Sequence, residues 1–311
     1  MAALLAALAA SIACAGCTGE CASPDGTAVD VPDALFDGDE LELVTINLLH
    51  GWNDETNDAT LDARLELVAA ELAALRPHVV LVQEASVTPP DRHCNVVTTL
   101  RERLAAASGD AWGSAHAHRN GSELVSFFEG PGLLARVAFG GVELLEYQAQ
   151  QAFERRVAVL AAIDGGPRIA STHLAHHDDD YRDGTLIRVL QARELAERVA
   201  ALTSGANARA LVLGGDLNDP PESETIDALA AQGAVDLWGQ GAPPEAEQGT
   251  ELVGAVNDDD ASYARRIDYL LGFGGVAASS CARVLDAPVE VEGAPLWPSD
   301  HAGVHCTVLL P

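Results

Sequence analysis

Lysine is missing from all 311 residues, and the 18 basic side chains are every one arginine. A Walker-type phosphate loop, a pyridoxal Schiff base and any lysine nucleophile or base are thereby excluded, because each needs an ammonium group. The Gly-x-Ser-x-Gly elbow is also absent, which argues against a serine hydrolase. No internal repeat, long Ser/Gly tract or heptad run divides the chain, so one large domain is expected. The available chemistry is that of imidazole, carboxylate, amide or a metal ion.

Acid is abundant: 47 Asp and Glu give a formal charge of -29. Such a surface repels nucleic acid and anionic bilayers at long range and weighs against a nuclease. A local arginine cluster around an anionic substrate is compatible with it, and so is a purely solubilising role in a salty medium.

Residues 1–17 read as a secretory signal of lipoprotein type. An Ala/Leu-rich run, too short for a bilayer span, ends in Ala15-Gly16-Cys17, although no basic residue precedes it and Cys14 stands where leucine is usual. Residues 18–40, rich in Asp, Gly and Pro, read as a flexible tether, and 41–311 as the folded domain. The expected location is extracytoplasmic, secreted or anchored in a bacterial envelope, with membrane contact only through the lipid. With Cys14 removed and Cys17 acylated, Cys21, Cys94, Cys281 and Cys306 permit two bridges in three connectivities. Cys281 with Cys306 is favoured, since both lie in strand-like runs; four buried free thiols is the alternative.

From Leu41 onward, apolar runs alternate with helical patterns. Strands are expected at Leu41–Leu49, His78–Gln83, Gly132–Val137, Arg156–Ile163, Arg168–Leu174, Ala210–Leu217, Arg266–Gly272 and Gly303–Leu310, many apolar throughout and so covered on both faces. Leu61, Leu65, Val68, Leu72 and Leu75 mark one helix, with Thr60 as N-cap and Pro77 beyond its end. Leu186, Val189, Ala192, Ala196 and Val199 mark another. Pro220–Ala261 reads as loops with a short helix near Glu224–Ala230.

Six polar motifs end these apolar runs: Thr45-Ile46-Asn47, Gln83-Glu84, Ser171-Thr172-His173-Leu174, Gly214-Gly215-Asp216-Leu217-Asn218, Arg266-Ile267-Asp268-Tyr269 and Ser299-Asp300-His301. Singly, each is an ordinary turn or salt-bridge pattern. Together and in this order they resemble the endonuclease/exonuclease/phosphatase superfamily, the group of deoxyribonuclease I, abasic-site endonucleases, bacterial sphingomyelinases and inositol polyphosphate phosphatases. The resemblance covers Leu41 to Leu310. It implies an α/β (α+β) fold: a four-layer, deoxyribonuclease I-like sandwich of two packed β-sheets flanked by helices, with the site where the sheet edges meet.

It also implies roles. Glu84 matches the main metal ligand, Asn47 the amide beside it, and Asp300 adds a carboxylate; such a hard oxygen site suits Mg²⁺, or Mn²⁺ or Ca²⁺. His301 is the candidate base, oriented by Asp268; Asp216 holds the attacking water, and Asn218 and His173 donate to phosphoryl oxygens. Glu129 falls in the segment that supplies the orienter of His173, with a solvated loop carboxylate as the other reading. His176-His177-Asp178-Asp179-Asp180 reads as an exposed acidic loop in preference to a second cation site. His50-Gly51-Trp52 reads as a turn at the site rim or a tryptophan buried under a loop, and His93, His116 and His118 carry no motif.

The expected function is a monomeric, divalent-metal-dependent hydrolase of phosphoester bonds in a lipid headgroup or small organophosphate. An extracellular endonuclease is the second reading, and a non-catalytic binding lipoprotein a remote third.

Overall fold

The computed structural model describes residues 30–50, 55–87, 95–122, 127–151, 154–205, 208–241 and 249–311. In chain order the first elements are β1 (Glu40–Asn47), α1 (Glu55–Leu75), β2 (Val79–Val87), α2 (Val96–Ser108), β3 (Gly113–His116), β4 (Asn120–Ser122), β5 (Phe127–Ala135) and β6 (Phe139–Glu146). Then come β7 (Val157–Ile163), β8 (Arg168–His173), α3 (Ile187–Thr203), β9 (Leu211–Asp216), α4 (Glu224–Ala230), β10 (Val235–Asp236) and α5 (Leu237–Gly241). The last are β11 (Leu252–Val253), β12 (Ser262–Tyr263), β13 (Asp268–Phe273), β14 (Ala277–Val284), β15 (Val289–Val291), β16 (Ala294–Leu296) and β17 (Gly303–Leu309).

Two mixed sheets pack face to face. One runs β14-β17-β1-β2-β5-β3 with β4 added to β5, the other β10-β13-β9-β8-β7-β6. β9 and β13 are buried at every position, as strands covered on both faces must be. Leu43, Leu81, Leu133, Val159, Ile169, Val212 and Leu270 fill the space between the sheets. The approach is close: a Cβ on Gly214 would stand 2.5 Å from Leu81 Cδ1 and 2.9 Å from Leu270 Cδ2, so that position has room for no side chain.

Helices close the outer faces. Leu61, Leu65, Val68 and Leu72 of α1 pack with Leu100 and Leu104 of α2 on Val44, Ile46, Val80 and Val82. Ala192, Leu195, Ala196 and Val199 of α3 cover Leu211, Leu213 and Leu271 on the opposite side. Each buried leucine contributes about 1.5–3 kcal/mol. The result is the expected four-layer sandwich of deoxyribonuclease I type.

The differences from the sequence reading have local causes. α1 begins at Glu55, and its first turns are polar and therefore silent in the apolar pattern. Thr60 is not an N-cap; its Oγ1 donates to Thr56 O at 2.7 Å inside the helix. β2 continues past Glu84 through a bulge between Val82 and Ala85, so Glu84 lies within a strand, not at its end. β5 starts five residues before Gly132, and Glu129 is a buried strand residue, not a loop carboxylate. α2, capped by Asn95 and Gly109, was not expected. The described end of the tether is packed on the domain: Phe36 is buried, its N–H donates to Asp164 O at 3.2 Å, and Asp30 pairs with Arg101.

Cys281 of β14 and Cys306 of β17 are register partners joined by a disulfide across a Cα separation of 4.2 Å. The signal-like residues 1–17, Cys21, Gly51, Trp52, His93 and Cys94 lie outside the described residues. Among those described, no helix is long and apolar enough to cross a membrane.

Candidate active site

The second sheet sets three candidate residues side by side. His173 ends β8 opposite Asp216, which ends β9 opposite Asp268, the first residue of β13. All three are at most 2 % exposed. The first sheet brings Asn47 to the end of β1, and Ser299 Oγ donates to Asn47 O at 2.6 Å, docking the 299–301 turn beside it.

One carboxylate oxygen joins the two sets. Asp216 Oδ2 accepts from Asn47 Nδ2 at 3.1 Å and lies 3.3 Å from His173 Nε2 and 3.8 Å from His301 Nε2. Asn47 Nδ2 also donates to Glu84 Oε1 at 3.1 Å, so a single amide links Glu84 to Asp216. The other Asp216 oxygen accepts the Asn218 N–H at 2.9 Å. Leu49, Glu84 and Asn218 all have positive φ, near 50–55°. Asparagine tolerates that region, whereas a leucine or glutamate there stores about 1 kcal/mol or more, a cost that clusters where a site imposes geometry.

His301 Nδ1 lies 2.8 Å from Asp268 Oδ2. A carboxylate only accepts, so Nδ1 carries the proton and Nε2 faces Asp216. Burial alone would lower the His301 pKa; Asp268, Asp300 and Asp216 outweigh it and hold it well above its ordinary value. Burial and the neighbouring Asp268 push Asp216 up to about 7. Burial also raises Asp300, with Glu84 adding to the effect. Glu84 itself is drawn down to about 2 against its burial, by His50, His173 and His301 and by the Asn47 hydrogen bond.

These crowded carboxylates attract positive charge, and their donors suit a hard divalent cation, being oxygens with no thiol among them. The ligand atoms of Asp216, Asp268 and His301 lie within 4.8 Å of one another. Asn47 turns its Oδ1 to the Leu49 N–H at 3.0 Å and its amino group to Glu84 and Asp216, so it orients both carboxylates.

The expected pairing of Glu129 with His173 is replaced by a relay. Glu129 Oε1 accepts from Arg156 Nη1 at 3.0 Å and from Asn120 Nδ2 at 2.6 Å, while the same Nη1 stands 2.8 Å from His173 Nδ1. Arg156 escaped the sequence reading, although two adjacent arginines opening an apolar strand were a signal.

Arg64 escaped it too, although a cation three residues after Leu61 falls on the buried stripe of α1. Its Nη1 donates to Leu48 O at 2.8 Å and Pro298 O at 3.5 Å, and its Nη2 to Leu49 O at 2.9 Å and Asn57 O at 3.3 Å. His50 also belongs to the site, its N–H donating to Glu84 Oε2 at 3.2 Å. Residues 176–180 form the exposed loop expected; Asp178 pairs with Arg188, and His176 Nδ1 lies 3.3 Å from Asn218 Oδ1.

The sequence signature of the endonuclease/exonuclease/phosphatase family matches residues 44–301. No curated protein matches the chain significantly. Among solved structures, a mannosyl-6-phosphatase of Bacteroides thetaiotaomicron superposes with a TM-score of 0.65 at 17% identity, over 87% of this chain and 100% of that one. A family protein of Leptotrichia buccalis gives 0.61 at 15% identity, covering 86% of this chain and 99% of the other. TDP2 of D. rerio, complexed with single strand DNA product, gives 0.60 at 20% identity over 87% and 99%. At such identities the likeness establishes the shared fold.

Proposed function

The chain belongs to the endonuclease/exonuclease/phosphatase family, a family of phosphoester hydrolases, and from that premise we propose a divalent-metal-dependent enzyme that acts outside the cytoplasm on a lipid headgroup or small organophosphate. The observation that carries the reading is Asp216 Oδ2, in reach of Asn47, His173 and His301 at once. Glu84 and Asp300 would hold the cation, being close enough for Glu84 to raise the Asp300 pKa, while Asp268 anchors His301 through Oδ2. When bound, the ion supplies charge neutralisation of the phosphoryl oxygens.

The remaining steps belong to the chain. Asp216 holds the attacking water. His301 in its neutral form, with Nε2 unprotonated, takes its proton, with Asp268 fixing the tautomer and stabilising the imidazolium that forms. His173 and Asn218 donate to the non-bridging oxygens as charge builds on them, and the ester P–O bond opposite the water breaks, its leaving oxygen taking a proton from solvent. An extracytoplasmic location is supported by the signal-like start and the Cys281–Cys306 bridge. The charge of -29 favours a small or lipid substrate over DNA.

Hydrolysis of bis-p-nitrophenyl phosphate should be abolished by chelation, restored by Mg²⁺ and lost in His301→Ala. An unchanged rate in that variant removes His301 from the mechanism. Plasmid nicking at low salt that is faster than hydrolysis of the small diester would favour the nuclease reading instead.

A further inference from the structure

Arg156 precedes β7 with its side chain 7 % exposed. Two acids hold it: Nη1 donates to Glu129 at 3.0 Å and Nε to Glu154 Oε1 at 2.5 Å, with Nη2 on the same Glu154 oxygen. Nη1 also meets His173 Nδ1 at 2.8 Å. A guanidinium has five donors and no lone pair to offer, so Nδ1 of His173 must accept, and the single proton of the neutral ring resides on Nε2. Burial and the adjacent Arg156 charge both oppose a second proton there.

That Nε2–H stands 3.0 Å from Asn218 Nδ2, whose orientation is set by its donation to Leu174 O at 3.1 Å. Two donors at this distance do not satisfy each other. The acceptor already within reach of Nε2–H is Asp216 Oδ2 at 3.3 Å, and an anionic oxygen seated beside it would be open to both donors.

We propose that Arg156 is a positioning residue that locks His173 as a neutral Nε2–H donor, so that His173 and Asn218 together grip an anionic oxygen and His301 is left as the one imidazole that moves a proton. The oxygen's identity rests on the phosphoesterase reading; the tautomer does not. The competing explanation is that Arg156 serves only as counter-charge for Glu129 and Glu154.

Long-range ¹H–¹⁵N spectra of the full chain labelled at histidine, with His173 assigned through His173→Gln, test the lock without turnover. The wild type and Arg156→Lys, whose ammonium can still donate to Nδ1, should show the Nε2–H form. Arg156→Met alone would strand a buried carboxylate and put the fold at risk, so it is paired with Glu129→Gln. In that double variant the Nδ1–H form should appear, with kcat lowered about 100-fold, the order expected for a misplaced oxyanion donor, and KM little changed. Nδ1–H or a doubly protonated ring in the wild type overturns the proposal, as does a double variant that keeps both the Nε2–H signature and kcat. The lock present in a protein that hydrolyses no phosphoester would uphold the proposal and sink the functional reading.

Discussion

Replacing Arg64 by methionine probes how two distant segments are held around the site. The guanidinium ties Leu48 and Leu49, beyond β1, to Pro298, which leads into Ser299-Asp300-His301. Methionine fills most of the volume and offers no donor. The bonds at 2.8 and 2.9 Å are charge-assisted, worth on the order of 1.5–3 kcal/mol each. Part of that is offset because a desolvated cation disappears. Its strain is visible in the Arg64 pKa, which burial lowers to about 10 although Asp300 and Glu84 pull the other way. A net loss of about 3 kcal/mol follows, which for a domain of this size lowers the thermal midpoint by roughly 6–12 °C. Calorimetry of the chelated protein reads this directly. Arg64→Lys should fall between the two, since an ammonium cannot serve both carbonyl sets. A midpoint within about 2 °C of wild type would refute the clamp.

Further outcomes follow from the same geometry. Glu84, at about 2 in the fold against an ordinary value of 4.5, contributes on the order of 3 kcal/mol that is fully present above pH 4.5 and lost as pH falls toward 2. Denaturant titrations of chelated wild type and Glu84→Gln should therefore converge on acidification, and a constant difference across that window would contradict the assignment. Asp268→Asn leaves His301 without its anchor and should lower kcat by about 10²–10⁴-fold; a near-normal rate would show that the tautomer is fixed otherwise. Reducing the Cys281–Cys306 bridge, which spans 25 residues, should cost about 2–4 kcal/mol by denaturant melt, and an unchanged melt would make the bridge incidental.

What was legible in the chain follows from range. Strands buried on both faces, such as Leu211–Asp216, announce themselves as apolar runs, and their ends mark where side chains reach a rim. Asp216, Asp268, His173 and His301 were readable for that reason. The register that sets the first three in one row depends on strand pairing between segments far apart in sequence. β14, an Ala- and Ser-rich edge strand with mostly exposed or half-exposed residues, reads as strand-like about Cys281 but owes its full extent to pairing with β17. The narrow apolar stripe of α2, Val96, Val97, Leu100 and Leu104, follows a polar segment and was overlooked. The resemblance pairs Glu129 with His173 directly, whereas Arg156 Nη1 reaches between them, a contact that the residue types alone do not announce. The place of Arg64 on the α1 stripe marks it as buried, but not as a clamp, because its acceptors are backbone carbonyls, which leave no trace in residue types.

The most direct test of the assembled site is a crystal structure of the protein grown with Mn²⁺ and inorganic phosphate, with the anomalous signal of manganese located. The expected result is an ion on Glu84 and Asp300 with a phosphate oxygen accepting from both His173 Nε2 and Asn218 Nδ2, and the phosphorus within reach of a water on Asp216. Manganese held elsewhere, or phosphate bound away from Asp216 and His301, would contradict it.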